Sequence, residues 1–499
     1  MSDRPILIGA AQITHRVKSI EDFIHPIEFM RRAVVMAAED AGLGARLSQA
    51  DALHVVHLLS WNHRDAPTAL AEALNFQPPT REYSAIGGNT PQWFVNRIAD
   101  NLAAGRSRLA ILAGCEVMKS VSLAMRAGRD LGFFKDKVQV PLVGITRPGT
   151  NQIEQAHFAD RPIKIYPIIE NALRARLGLS PEEQRHALGR FGETYSAVAA
   201  GNPNAWFPVA RTAEEIVATS PENRMIAFPY TKYLNAVMAV DMAAALILTT
   251  PPTARALGVP SSKWVYLHGG QDAHDAWFVS ERPDLAASPA LSAIVEDALG
   301  QASLALSDID FFDFYSCFPC MPRLSRLVIG LDEADPRPMT LTGGLPYFGG
   351  PGNNYVTHAI AEAVGRCRSA PDAFGMITSN GYYSTKHGVG IYGAREPDRP
   401  WSRTPPEEFQ RRLALPPNLE LDPEPHGEFS VDGYTVWHSR DGDPEVGILC
   451  GRSPTGRRVW AQTHREDHDL MEALMKEEWV GRRGRIAARE GAVNIAEFS

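Results

Sequence analysis

The sequence is poor in the features that mark secreted and membrane-spanning proteins. Its 499 residues include only five cysteines, an odd number that favours free thiols over a disulfide framework. The longest apolar stretch, 236–248, is interrupted by Asp241 and is too short to span a bilayer. The first five residues lead into no signal-peptide pattern. We therefore expect a soluble, cytoplasmic protein without a membrane span.

Positive charge is not in excess either. Fifty Lys and Arg residues face 58 Asp and Glu residues, which gives a net charge of −8 and argues against nucleic acid as the main partner. The fifteen histidines show no zinc-type spacing with cysteine, so no metal is expected. The composition, 44% hydrophobic and 22% charged, is that of a globular protein, and the length predicts two or three domains.

A glycine-rich segment at 340–358 is the most informative part of the chain. It reads T-L-T-G-G-L-P-Y-F-G-G-P-G-N-N-Y-V-T-H, and a helical pattern begins at Val356. Glycine permits close approach of the backbone to a ligand, and the N–H groups at a helix N-terminus favour negative charge. Glycine-rich connectors without function are usually Ser/Gly repeats, whereas here Asn353, Tyr355 and His358 are interspersed. This pattern indicates a binding or catalytic loop.

A second segment, 309–319, reads I-D-F-F-D-F-Y-S-C-F-P. An apolar run ends abruptly in Tyr315, Ser316 and Cys317, as a buried strand does when it delivers side chains to a cleft. Together the two segments resemble the thiolase superfamily, in particular the sterol-carrier-type thiolases and the type 1 thiolase-like proteins with an extra C-terminal domain. That family carries an N-E-A-F or H-D-C-F loop before a G-G-x-x-x-x-G-H-P loop. The counterparts here are Y-S-C-F (315–318) and G-G-L-P-Y-F-G-G-P (343–351).

Further matches follow in the family's order over about residues 4–395, including 375–387, where thiolases carry a C-x-G loop. The resemblance implies an α/β protein with a duplicated five-layered α-β-α-β-α thiolase fold, an inserted loop domain and a C-terminal OB-like β-barrel. The implied ranges are 1–117 with 226–258 for the N-terminal half, 118–225 for the loop or lid insertion, 259–395 for the C-terminal half, 396–425 for a linker and 426–499 for the barrel.

Local patterns agree with this organisation. Alternating apolar strands and amphipathic helices over 5–113 predict a parallel sheet covered by helices. A helix is also expected at 233–239. Residues 396–425 are rich in proline and charge, as linkers are. Short strand-like runs with Asp-Gly and Thr-Gly turns after residue 426 indicate a small barrel.

The resemblance implies specific catalytic candidates. The thiolase nucleophile, a cysteine at a helix N-terminus, would fall at Gly88 or Asn89, and neither residue can form a thioester. Cys317 matches the acid/base cysteine of H-D-C-F, although a buried small hydrophobe is an equally ordinary role for a cysteine. Tyr315 and Tyr355 resemble a tyrosine pair of thiolase-fold aldolases. Two histidines, His358 and His387, are the remaining candidates for proton transfer.

Residues expected to contact coenzyme A or its thioester come from the three matched loops and the helix start. They are Gly88, Asn89, Gly349, Gly350, Asn353, Ser379, Asn380 and Gly381. Gly350 occupies the position where the histidine of the G-H-P motif is expected. No further cofactor and no metal are implied.

Three functions remain open at this point. The first is a CoA-thioester-dependent acyltransferase of the acetyl-CoA acetyltransferase type that lacks the usual nucleophile. The second is a carbon–carbon lyase that uses Tyr315 and Tyr355 for retro-aldol cleavage of an acyl-CoA. The third is a non-catalytic acyl-CoA binder. A small-molecule acyl-CoA is the expected partner in all three, nucleic acid is not, and the oligomeric state is either monomer or homodimer.

Overall fold

The computed structural model describes residues 4–498. The first half of the thiolase-type body begins with four strands and three helices. In chain order they are β1 (Ile6–Thr14), α1 (Pro26–Asp40), β2 (Ala52–Val55), α2 (Ala66–Ala73), β3 (Thr80–Ser84), α3 (Thr90–Ala103) and β4 (Leu109–Val117).

A mainly helical insertion follows β4. It contains α4 (Met118–Arg126), β5 (Leu142–Val143), α5 (Gln152–Ala156), α6 (Pro162–Arg176), α7 (Pro181–Gly201), α8 (Ala213–Val217), β6 (Met225–Ala227) and β7 (Tyr230–Thr231). Strand β6 pairs with the C-terminal barrel, so the expected boundary at 225/226 falls inside an element that belongs to the barrel sheet. The expected helix at 233–239 is reduced to a single 3-10 turn, Lys232–Leu234.

The second half of the body repeats the first. After β8 (Asp241–Thr249) and α9 (Pro251–Ala256), which end the first half, it comprises β9 (Val265–His274), α10 (Pro289–Ala302), β10 (Phe311–Asp313), α11 (Cys320–Ile329), α12 (Tyr355–Ser369), β11 (Phe374–Gly381) and β12 (Lys386–Gly393). Strand β8 itself completes the first sheet. The strand order is β3-β2-β4-β8-β1 in the first half and β10-β11-β12-β9 in the second. The backbone of 338–339 hydrogen-bonds to β10 and occupies the place that β3 has in the first half.

The layers follow from which helix faces are apolar. Helix α1 presents Phe29, Met30 and Ala33 to the first sheet, and α10 packs against β9 and β12 of the second. Helices α3 and α12 contact each other and strands of both sheets, so they form the central layer. Strands β4 and β8 are buried along their whole length. The predicted duplicated five-layered fold is confirmed.

The sheets are mixed, which corrects the expectation of a parallel sheet. Strands β2, β3 and β4 are parallel, but β8 runs antiparallel to both β1 and β4. The physical reason is connectivity. Strand β8 returns from the long insertion and not from a helical crossover, and the tight turn at 382–385 makes β11 and β12 antiparallel.

The C-terminal part forms a closed barrel. Helix α13 (Pro406–Arg412) lies in the linker, and the barrel contains β13 (Gly427–His438), β14 (Pro444–Arg452), β15 (Arg458–Gln462), α14 (His468–Lys476), β16 (Arg483–Glu490) and β17 (Val493–Glu497). The five strands pair in the order β13-β14-β15-β17-β16 and return to β13. Met471 and Leu474 of α14 pack into the barrel core. The predicted barrel is therefore present.

Candidate active site

Several loops meet at the N-terminus of α3. Gly87 and Gly88 lead into this helix, and the Gly87 N–H donates to Asn353 Oδ1 over 2.9 Å. Asn353 Nδ2 in turn donates to the His57 carbonyl oxygen over 2.8 Å. Asn353, expected to contact coenzyme A, thus uses its amide to tie the glycine-rich loop to the loop before α3.

Gly88 and Tyr315 are complementary in shape. A β-carbon added to Gly88 would collide with Tyr315 Oη and would lie 2.7 Å from the Asn380 carbonyl oxygen. The phenol of Tyr315 therefore fills the space in which a side chain at position 88 would stand. Burial raises the pKa of Tyr315 well above its ordinary value, so its hydroxyl is a neutral proton donor at physiological pH.

Cys317 lies two residues further along the same loop. Asn380 Nδ2 is 3.9 Å from Cys317 Sγ and donates to Tyr166 Oη over 2.7 Å. Burial raises the pKa of the Cys317 thiol to about 12. At neutral pH this group is a thiol and not a thiolate, which suits proton donation and does not suit nucleophilic attack.

The glycine-rich loop packs against an extended segment where a helix was expected. The Val237 N–H donates to the Leu345 carbonyl oxygen over 3.2 Å, and the Gly350 N–H donates to the Val237 carbonyl oxygen over 2.9 Å. The Ala236 N–H donates to the Cys317 carbonyl oxygen over 3.2 Å. Pairing with two loops holds this segment extended, although its apolar composition fits a helix. Gly350 therefore contacts protein backbone, and a β-carbon on the neighbouring Gly349 would meet the side chains of Met242, Trp206 and Val240.

The three residues matched to the C-x-G loop lie at the end of β11. Ser379 Oγ donates to the Gly388 carbonyl oxygen over 3.1 Å, so its hydroxyl is used across the hairpin. Asn380 contacts Cys317 as described. A β-carbon on Gly381 would collide with Asn89 Oδ1, so the absence of a side chain there leaves room for the start of α3. The structure thus brings Gly88, Asn89, Asn380 and Gly381 together.

Tyr355 has a different environment from Tyr315. The two rings are perpendicular with centroids 5.6 Å apart. Tyr355 Oη donates to Asp313 Oδ1 over 3.0 Å and lies 2.6 Å from Thr342 Oγ1, and the residue is fully buried. Its hydroxyl already has partners within the protein, which argues against the expected role in an acid/base pair.

A family model, the thiolase-like protein type 1 additional C-terminal domain, matches residues 408–491. The chain is 30% identical to a monomeric SCP2-thiolase like protein type 1 from Mycobacterium smegmatis, with 100% of each chain covered and a TM-score of 0.85. The chain belongs to the type 1 SCP2-thiolase-like proteins.

More distant structures share the fold of this type 1 SCP2-thiolase-like protein. An Ltp2–ChsH2(DUF35) aldolase is 17% identical, with 80% of this chain and 99% of that chain covered and a TM-score of 0.60. An acetyl-CoA acetyltransferase from Syntrophomonas wolfei is 12% identical, with 79% and 100% covered and a TM-score of 0.59. No curated protein sequence matches the chain.

The two histidines expected in proton transfer have different surroundings in this type 1 protein. His358 is fully buried between α12 and β1, where its Nδ1 is 3.0 Å from Gln12 Oε1, and burial lowers its pKa to about 3. His387 Nε2 is 3.0 Å from Asp275 Oδ2 and 3.2 Å from Ser288 Oγ, next to the start of α10. Burial against β1 argues against proton transfer by His358, whereas the role of His387 stays a prediction.

Two further residues belong to the candidate site, and only Tyr166 was not expected there. Tyr166 comes from α6 of the insertion, and its hydroxyl donates to the Tyr382 carbonyl oxygen over 2.7 Å. Lys386 begins β12 and is buried beside Asn89 and Gly87. No local pattern marks Tyr166, because its contacts join segments more than 200 residues apart. The adjacent Lys386-His387 dipeptide was a detectable signal for the lysine.

Helices of this type 1 protein between residues 4 and 498 do not combine the length and apolarity needed to cross a bilayer. Within the same residues, no group of three His, Cys, Asp or Glu side chains is placed to hold a metal ion. All five cysteines are buried and carry free thiols.

Proposed function

We propose that this protein is a CoA-thioester enzyme that works by proton transfer at the N-terminus of α3 and forms no acyl-enzyme. The observation that carries the proposal is the Tyr315 hydroxyl, which takes the place of a side chain at Gly88. A nucleophilic cysteine cannot stand at that position without displacing the phenol. Asn89, the next residue, has an amide side chain and is not a nucleophile.

Each group would have a definite role. At the start of α3 the Thr90 N–H donates to the Gly87 carbonyl oxygen over 3.0 Å, and Pro91 has no N–H. The N–H groups of Gly88, Asn89 and Gln92 would therefore hold the thioester oxygen as an enolate forms. Tyr315, protonated at neutral pH, would donate a hydrogen bond or a proton to the same region. Cys317, also protonated, would serve as a second donor beside Asn380.

This arrangement supports carbon–carbon bond cleavage next to a thioester as the first reaction class. In a retro-aldol reaction the β-hydroxyl loses its proton, the carbon–carbon bond breaks to give an aldehyde and an enolate, and the enolate carbon gains a proton. The Tyr315 phenol would relay this proton, because it can accept the hydroxyl proton while it gives its own to the enolate, so no covalent intermediate is needed. Tyr315 would act there without Tyr355, whose hydroxyl is bound to Asp313. Direct acyl transfer from CoA is the second candidate, supported by the Cys317 thiol in the same group of loops. The acyl-CoA partner and the cytoplasmic location stay predictions.

The test is exchange of the protons next to the thioester. Purified protein is incubated with acetyl-CoA in D2O, deuterium in the acetyl group is followed by NMR, and the protein mass is measured after acid quenching. We expect deuterium incorporation without an added acetyl group on the protein. Tyr315→Phe should lower the exchange rate about 100-fold or more.

The matched control is Tyr266→Phe. Tyr266 lies at the start of β9, opposite Gly393 and away from Lys386, which begins the other end of the strand pair. Its substitution should leave exchange unchanged. Acetylation of the protein would contradict the proposal and favour acyl transfer through a thiol. Binding of acetyl-CoA without exchange in the unmodified protein would identify a non-catalytic binder.

A further inference from the structure

A buried lysine beside the N-terminus of α3 has no counter-ion. Lys386 is 5% exposed, its Nζ donates to the Ile86 carbonyl oxygen over 2.6 Å, and it lies 4.2 Å from the centroid of the Tyr382 ring. Within residues 4–498 no side-chain charge offsets its burial, which lowers its pKa to about 8. A buried ammonium without an anion is costly, so this position is unusual.

Two other buried cations of this protein are paired with carboxylates, and a third, Arg282, donates to the Thr385 hydroxyl over 3.0 Å. Arg174 contacts Glu478 and Arg458 contacts Asp432, each over 2.6 Å. The positive end of the 14-residue helix α3 lies next to Lys386 and makes a cation there still less favourable. One negatively charged group from outside the chain would compensate both the buried ammonium of Lys386 and the positive end of α3.

Asn89 supplies a second, independent observation. This residue is only 7% exposed and its Oδ1 has no hydrogen-bond partner within the described chain. Its amide stands close to Lys386, since β-carbons added to Gly87 or Gly381 would meet both side chains. Rotation of the amide exchanges its oxygen and nitrogen, so Asn89 can offer either an acceptor or a donor to a ligand.

Lys386 and Asn89 both line an open cleft of about 830 Å³. This volume lies in the range of small-molecule sites. Most of the cleft wall is apolar. The apolar lining residues are Ala85, Trp93, Val143, Ile145, Ala273, Pro405 and Pro406.

The other charged groups of the cleft are already engaged or lie at its rim. Asp272 contacts Arg403, His387 contacts Asp275, and Arg97 contacts Glu82. His274, Glu407 and Arg411 complete the titratable lining. Lys386 is therefore the buried cation of the cleft that lacks a protein carboxylate.

We propose that the cleft binds an organic monocarboxylate with an apolar body. The carboxylate would accept hydrogen bonds from the Lys386 ammonium and the Asn89 amide, and the apolar part would lie against Trp93 and Ile145. A single buried cation matches one carboxylate better than a multiply charged phosphate ester. The carboxylate site adjoins the proposed thioester site at the start of α3, with Gly87 facing Lys386 and Gly88 facing Tyr315, and octanoate binding tests it without thioester chemistry.

Octanoate is the probe, and titration calorimetry of the full chain at pH 8 in two buffers of different ionisation heat is the measurement. Saturable binding should be accompanied by uptake of about half a proton, because roughly half of the Lys386 amines are neutral at that pH. Lys386→Met should weaken octanoate binding about tenfold or more and abolish proton uptake.

Two controls separate the contribution of the octanoate carboxylate from that of its alkyl chain. Lys137→Met removes an exposed lysine and should leave octanoate binding unchanged. Octan-1-ol has the same apolar body without the charge, and it should bind the unmodified protein and Lys386→Met equally weakly. If Lys386→Met does not fold, chemical protection of the unmodified protein tests the same contact. Octanoate should slow the acetylation of Lys386 by acetic anhydride and should not slow that of Lys137. Peptide mass spectrometry measures both rates.

Several outcomes would overturn the proposal. These are the absence of saturable octanoate binding, binding without proton uptake, equal affinity in Lys386→Met, or no protection of Lys386. Displacement of octanoate by coenzyme A would instead assign the cleft to the thioester substrate. Loss of acetyl-CoA exchange alone would contradict the proposed function and leave this site standing.

Discussion

The contact between Gly88 and Tyr315 makes a stability prediction at the scale of single residues. Gly88→Ala should lower the free energy of unfolding by about 1–3 kcal/mol, because the new methyl group overlaps the Tyr315 hydroxyl. The φ of Gly88 lies outside the left-handed region, so backbone strain makes no contribution. Urea unfolding measures the effect.

A control variant and a double variant test the steric explanation of the Gly88→Ala effect. Gly365 lies on the exposed face of α12, and a β-carbon there would meet nothing within 4 Å, so Gly365→Ala should stabilise the protein by about 0.5–1 kcal/mol. In the Tyr315→Phe background Gly88→Ala should cost less, since the hydroxyl is gone. Additive effects of the two changes would show that the residues do not compete for space.

Lys386 predicts a pH dependence. Its folded-state pKa of about 8 lies below the unfolded value of 10.5, so the unfolded chain binds more protons between these values and the free energy of unfolding rises with pH. Relative to Lys386→Met, this rise should total about 3 kcal/mol over the full window. Unfolding curves at pH 8, 9 and 10 measure it, and parallel pH profiles of the two proteins would contradict it.

The motifs predicted which loops form the candidate site, but they did not predict the hydrogen bonds that each side chain makes there. The missing nucleophile at Gly88 and the placement of Asn380 near Cys317 followed from motif order. The surroundings of Tyr355 and His358 could not be predicted in this way, because a motif gives the position of a residue and not its hydrogen-bond partners. A helical pattern cannot tell that His358 faces β1 and not the loop before it.

At the scale of elements, the edge of the first sheet is closed. Strand β5 pairs with Tyr83 and Ser84 of β3, and the remaining part of β3 carries the exposed Arg81. An open edge strand invites pairing with another chain, and a short covering strand together with charge prevents it.

We therefore predict a monomer. Light scattering after size exclusion should give a mass near 54.7 kDa that does not change with protein concentration. This expectation agrees with the related Mycobacterium smegmatis protein, whose description is monomeric. A mass twice as large would mean that the edge of β3, or another surface, associates despite β5.

Two-residue strands such as β5 are beyond reach of sequence patterns, because periodicity needs a longer run to be recognised. The helical pattern that begins at Val356 predicts the start of α12 within one residue of its observed start, Tyr355. The segment 236–237 was mistaken for a helix because its extended conformation depends on backbone pairing with two remote loops.

At the scale of the whole molecule, the barrel is joined to the body by buried contacts. Asn171 Nδ2 donates to the Tyr434 carbonyl oxygen over 2.8 Å, and Arg174 forms two bonds with Glu478. Trp460 of the barrel belongs to the same apolar cluster as Ile168 of α6. The barrel therefore has a core of its own and shares a second apolar cluster with the insertion.

This shared cluster predicts cooperative unfolding. Differential scanning calorimetry of the full chain should show a single heat-capacity peak. Glu478→Ala leaves Arg174 buried without its partner and should lower the melting temperature of that peak. Glu472→Ala, which removes an exposed carboxylate of α14, should leave it unchanged. Two separate peaks would show that the barrel melts independently.

The pairing of Ala227 in β6 with Trp437 in β13 also bears on the order of events during synthesis. A ribosome releases the middle of this chain long before it makes the barrel strands. Strand β6 of the insertion therefore has no pairing partner in the barrel until translation is nearly finished. Chaperone binding to the nascent chain should accordingly peak after the insertion emerges and end when β13 becomes available.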